Sequence, residues 1–158
     1  MIPEEAKRFI GRIDPPIIRH VEKGAIRRYA EAVGNDSPLH NDEEYAGKTK
    51  YGSIIAPPGF WGWPTQTPSS STGLAEIVGE LQAALARGGF HRILDGGISY
   101  DFFLPLRAGD IIVASPKVTG LSEKEGKSGS MIICNFETTY VNQNGDLVAK
   151  SYQTFIAR

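Results

Sequence analysis

The chain has 158 residues, 41% of them hydrophobic and 22% charged, with a net charge of −1 and an isoelectric point near 6.3. That size suits one domain over residues 1–158 that buries a core without disulfide or metal support. Near-neutral charge gives no electrostatic pull toward nucleic acid or an anionic membrane, and no run of about 18 apolar residues is present to span a bilayer.

The opening residues Met1-Ile2-Pro3-Glu4-Glu5 are polar and acidic and lack a signal-peptide core. The one cysteine, Cys134, excludes an intramolecular disulfide, so a reducing, cytoplasmic setting is expected. Cys134 lies in an apolar run and is expected to be a buried, inert thiol.

Residues 4–9 predict a single helical turn. Ile17, Ile18 and Val21 predict a first strand, because Pro15-Pro16 blocks a helix there. A helix is predicted from Lys23 to Val33, with Ile26, Tyr29, Ala30 and Val33 at helical spacing and Gly34 as a left-handed cap. Asn41–Ala46 predicts a short capped helix. Pro64–Thr72, rich in Ser, Thr and Pro, predicts a surface loop.

Leu74–Arg87 carries the clearest helical pattern. Leu74, Ile77, Val78, Leu81, Ala84 and Leu85 form one apolar face suited to packing on a sheet, and Gly88-Gly89 stops the helix. Strands follow: Ile98–Leu104, Asp110–Val118, Met131–Val141 and Leu147–Ala157. Turns are predicted at Arg107–Gly109, Glu125–Gly129 and Asn142–Asp146. Antiparallel strands after one long apolar helix imply an α+β domain in which the sheet wraps the helix. Tyr100, Phe102 and Phe103 read as sheet residues, and Arg107 and Asp110 as a structural turn.

The segment most able to carry chemistry is Gly34-Asn35-Asp36-Ser37-Pro38-Leu39-His40: a helix stop, a polar turn, and a histidine set by a proline. Its Gly34, Pro38, Leu39 and His40 resemble the signature of MaoC-like (R)-specific enoyl-thioester hydratases. Several elements resemble the N-terminal-half, FAS1-like variety of those dehydratases: Ile55–Phe60, Leu94–Gly97, Pro105–Asp110, Gly126–Gly129 and Asn142–Gly145, in that order. The resemblance spans nearly the whole chain apart from residues 64–87. It implies a hot-dog fold and reversible addition of water to a trans-2-enoyl thioester of CoA or an acyl carrier. A carboxylate and an imidazole would hold the water between them, and backbone N–H groups would hold the thioester oxygen. Neither metal nor redox cofactor is required, and His20, His40 and His91 lack metal-ligand spacing.

By this resemblance His40 is the acid/base group. Asn35 stands where the family has its catalytic Asp, and an amide cannot act as a base. Asp36, next door, would replace it if the turn were shifted by one residue, and Asn35 and Asp36 together are expected to position water. Ala56-Pro57-Pro58 stands where the family has His-Gly. Pro58 has no N–H, which leaves Gly59 as the oxyanion donor. Phe60, Trp61 and Trp63 are expected to line an acyl tunnel; core or dimer-interface packing is the alternative. His40 alone, without the resemblance, reads as a structural histidine donating to a carbonyl. Open strand edges predict a dimer, either a homodimer or a heterodimer with a second hot-dog subunit. Two other functions fit the same fold: a non-catalytic acyl-binding half paired with an active partner, and an acyl-CoA thioesterase.

Overall fold

The structure, a computed structural model, describes residues 1–60, 73–126 and 129–158, and of residues 73–75 the backbone only. Its elements in order are α1 (Glu4–Lys7), β1 (Ile17–His20), α2 (Lys23–Ala32), α3 (Pro38–Asn41), α4 (Glu43–Gly47), α5 (Gly73–Arg87), β2 (Ile93–Phe102), β3 (Ile111–Gly126), β4 (Gly129–Val141) and β5 (Leu147–Ala157). The five strands form one antiparallel sheet in the order β1-β3-β4-β5-β2. This is the expected α+β arrangement.

Two apolar clusters cover the inner face of the sheet. In the first, Ala25 and Ile26 of α2 pack with Ile112, Ala114, Val148 and Ala149 of the strands, together with Ile54, Phe60 and Leu106. In the second, Ile77, Leu81, Ala84 and Leu85 of α5 pack on Val118, Ile132, Cys134, Phe136 and Ala157. The alternation of buried and partly exposed residues along β4, from Ile132 to Tyr140, is what a sheet with one covered face requires.

Several boundaries differ from the sequence expectation, each for a local reason. The α2 helix ends at Ala32, so Val33 becomes the C-cap and is 53% exposed instead of completing the apolar face. Gly34 follows with φ +68, the left-handed residue that ends the helix. The Asn41–Ala46 segment is not one helix. Asp42 breaks it and caps α4 by accepting from the Tyr45 N–H at 2.9 Å, and α3 precedes that break.

The β2 strand starts at Ile93, well before Ile98, because Gly96-Gly97 is a bulge and not a terminator. Gly97 has φ +115, and its N–H bonds Asp95 Oδ1 at 2.9 Å. A side chain on Gly96 would meet the Thr154 carbonyl at 3.0 Å. The β3 strand runs on to Gly126, past Val118, because Ser122–Glu125 stay paired with β4 although they are polar and exposed. The predicted Pro64–Thr72 loop lies outside the described residues.

Candidate functional site

The site begins where α2 stops. The Asn35 N–H returns to the Ala30 carbonyl at 2.8 Å, across the left-handed Gly34. The Asn35 side-chain oxygen then accepts the Ser37 N–H at 3.2 Å, closing an Asx-type turn. Ser37 caps α3, accepting the Leu39 N–H at 3.4 Å, and Pro38 occupies the first turn, where its missing N–H costs nothing. Arg27 of α2 donates to the Asn41 carbonyl at 3.0 Å and holds α3 against α2.

These contacts fix His40, which is only 5% exposed. Its Nδ1 lies 2.7 Å from the Ile55 carbonyl oxygen. A carbonyl only accepts, so Nδ1 carries the hydrogen, and in the neutral ring Nε2 keeps the free lone pair. The Ile55 N–H bonds back to the Leu39 carbonyl at 3.2 Å, so α3 and the segment around Ile55 grip one another from both sides of the imidazole. That segment is held in turn by the loop after β2, through Ala56 N–H to Leu106 O at 2.8 Å and Ala108 N–H to Ile54 O at 3.0 Å. The Arg107 N–H bonds Asp110 Oδ2 at 2.8 Å, which makes this pair the structural turn expected of it.

His40 lines a cavity of about 470 Å³ together with Tyr51, Pro57, Pro58, Phe102 and Leu104. The wall is largely apolar, and a few polar groups converge on it, the usual make-up of a small-molecule site. A second cavity of about 610 Å³ lies at the start of α2 and is lined by none of the candidate residues.

The structure places the sequence-predicted residues as follows. His40 lies on the cavity wall; Asn35 and Asp36 sit on the preceding turn and are not among the lining residues, and Asp36 is exposed. Gly59 follows the lining residue Pro58 with φ +86, and a side chain there would meet the Tyr29 hydroxyl at 2.6 Å. Both conditions demand glycine. Phe60 is 4% exposed and packs edge-on against Tyr29, with ring centroids 5.7 Å apart, inside the first apolar cluster. Trp61 and Trp63 lie outside the described residues. His20 and His91 are exposed. Among the described residues, no group of three or more His, Cys, Asp or Glu is placed to hold a metal ion, and no helix is long and apolar enough to cross a membrane.

Sequence reasoning missed Tyr51 and the Phe102-Phe103-Leu104 corner as cavity residues. The available signal was the exit from the strand: an apolar run that stops at Pro105 turns away from the sheet, and its last residues become a rim.

A model of the FAS1-like dehydratase domain region matches residues 8–151. The chain belongs to that family. A probable enoyl-CoA hydratase alpha subunit of Thermomonospora curvata is 29% identical over 153 residues, covering 92% of this chain and 44% of the relative. Among solved structures, the ChsH1-ChsH2 complex of Mycobacterium tuberculosis superposes with a TM-score of 0.80 at 16% identity, covering 96% of this chain and 90% of that one. The HadBC (3R-hydroxyacyl-ACP dehydratase) complex of the same organism gives 0.66 at 23% identity, covering 94% and 96%. The fold is the hot-dog fold of the MaoC-like dehydratases.

Proposed function

We propose that this FAS1-like dehydratase chain is one hot-dog unit of an enzyme that reversibly hydrates a trans-2-enoyl thioester of CoA or an acyl carrier, with His40 as its acid/base group. The observation that carries this reading is the imidazole on the wall of an apolar cavity, with Nδ1 fixed on the Ile55 carbonyl and Nε2 left to work. In hydration, the oxygen of water joins the β-carbon while its proton passes to the base, and the α-carbon takes up a proton in exchange. A single positioned imidazole can serve each proton transfer in turn. Gly59 offers a backbone N–H beside the cavity for the thioester oxygen, and Asn35 and Asp36 hold water from the turn before α3.

Pairing with a second hot-dog unit completes this picture. The T. curvata relative is named an alpha subunit, and the two solved neighbours are complexes. Ile98 and Phe102 on the edge strand β2, and Phe103 just beyond it, are about half exposed, an apolar edge suited to a partner. The measurement is enoyl-CoA hydration by the purified chain, with free thiol followed in parallel. Slow hydration that His40→Ala removes, with no thiol released, supports the hydratase. Thiol release without hydration would show a thioesterase.

One observation favours a second reading, a non-catalytic unit that holds the acyl chain for an active partner. The side-chain oxygen of Asn35 is engaged in its turn, and no carboxylate lines the cavity among the described residues. That unit would bind a saturated acyl-CoA and give no hydration above background.

A further inference from the structure

The His40 cavity has a second polar side chain on its wall. Among its described lining residues, His40 and Tyr51 are the ones whose side chains carry a hydrogen-bonding group; the others are Ala, Ile, Leu, Phe and Pro. Tyr51 is placed by its backbone. Its N–H reaches Thr49 Oγ1 at 3.2 Å, and its carbonyl accepts from Arg107 Nε at 3.2 Å. Gly52 follows with φ +71, and its N–H bonds the Thr49 carbonyl at 3.1 Å.

These bonds use both main-chain polar groups of Tyr51, so the polar group it has left for a ligand is its hydroxyl. Among the described residues that hydroxyl has no hydrogen-bond partner, and the half-buried residue keeps its oxygen accessible. Lys50 Nζ lies 5.2 Å from the centre of the Tyr51 ring and adds a positive charge beside it.

The reaction has a use for such a donor. When the water oxygen attacks the β-carbon, the π electrons move through the α-carbon onto the thioester oxygen. Hydrogen-bond donors aimed at that oxygen lower the barrier. Pro58, on the same wall, has no N–H to give. A tyrosine hydroxyl donates without ionising, and an apolar surround strengthens the bond.

We propose that Tyr51 is a catalytic residue whose hydroxyl donates a hydrogen bond to the thioester carbonyl oxygen, in place of the donor that Pro58 lacks and alongside the Gly59 N–H. It transfers no proton: His40 takes one from water and returns one to the α-carbon, and the enolate electrons close the carbonyl again. This rests on the hydratase reading above.

The test reads the carbonyl directly. Octanoyl-CoA, isotope-labelled at its thioester carbon, is saturated and is not turned over. Isotope-edited infrared spectra of it bound to the full chain report the hydrogen bonds at its oxygen. Tyr51→Phe keeps the ring and removes the hydroxyl. The carbonyl stretch is expected at lower frequency on the wild type than on Tyr51→Phe, with octanoyl-CoA affinity lowered by about tenfold at most. The kcat for hydrating trans-2-octenoyl-CoA should fall by about 10²–10³-fold, the cost of one oxyanion donor. A stretch unchanged by Tyr51→Phe, with binding intact, would overturn this inference alone, because a packing role alters affinity and rate without touching that bond. A measurable wild-type rate that Tyr51→Phe leaves unchanged would overturn it too. A wild type that binds octanoyl-CoA but hydrates nothing removes the hydratase reading and this role with it, and one that binds no acyl-CoA removes the thioester reading as well.

Discussion

At the scale of single residues, the proposed chemistry rests on His40 and on what stands at Asn35, Asp36 and Pro58. Asn35 already makes the turn that an Asp would make, since its side-chain oxygen accepts the Ser37 N–H. Asn35→Asp therefore keeps that acceptor and adds a carboxylate. The variant is expected to hydrate enoyl-CoA faster than the wild type, because general-base assistance is worth about 10²–10⁴-fold. Pro58→Gly restores an N–H, and the double variant should outperform either single one; a lost oxyanion donor costs about 10²–10³-fold. If Asp36→Ala abolishes activity and Asn35→Asp changes little, the working carboxylate is Asp36. Cys134 stands apart from this chemistry. Burial pushes its thiol up to about 11, above the ordinary 9. The folded state favours the protonated thiol, so its contribution to stability is present below pH 9 and is lost as pH rises through about 11. A thiol reagent at neutral pH should label Cys134 only after denaturant unfolds the chain, and rapid labelling of the native protein would contradict its burial.

At the scale of elements, much was legible in the sequence, and the exceptions share a cause. The apolar face of α5 and the alternation along β4 and β5 are long, regular patterns, and the structure buries Ile77, Leu81, Ala84 and Leu85 as the spacing requires. Leu81→Ala should destabilise the fold by about 2–5 kcal/mol, the usual cost of a large-to-small change in a packed core, measured by denaturant titration. What the sequence concealed was set by tertiary pairing. Gly96-Gly97 reads locally as a stop, yet β5 continues to pair around it and converts it into a bulge. The polar Ser122–Glu125 stretch has no burial signal and is strand only because β4 runs beside it. His40 and its proline approach were legible, whereas Phe102 and Leu104 join the cavity only because the loop after β2 bonds to the segment around Ile55.

At the scale of the whole molecule, the proposed function makes this chain one half of a paired assembly. The edge strand β2 presents Ile98 and Phe102 about half exposed on the face that carries Tyr100, beside the cavity. Covering such an edge is the ordinary reason for two sheets to associate. Sedimentation at micromolar concentration should show a dimer of the chain, or a dimer formed with a second hot-dog subunit, and Ile98→Lys should shift it toward monomer. A wild-type chain that stays monomeric alone and with hot-dog partners would remove this part of the account. The central claim is that His40 performs acid/base chemistry on an enoyl thioester, and enoyl-CoA hydration by the wild type, His40→Ala and Asn35→Asp measures it most directly. The expected result is a slow wild type, a His40→Ala variant without activity and a faster Asn35→Asp variant. A fast wild type indifferent to both His40→Ala and Asp36→Ala would contradict it.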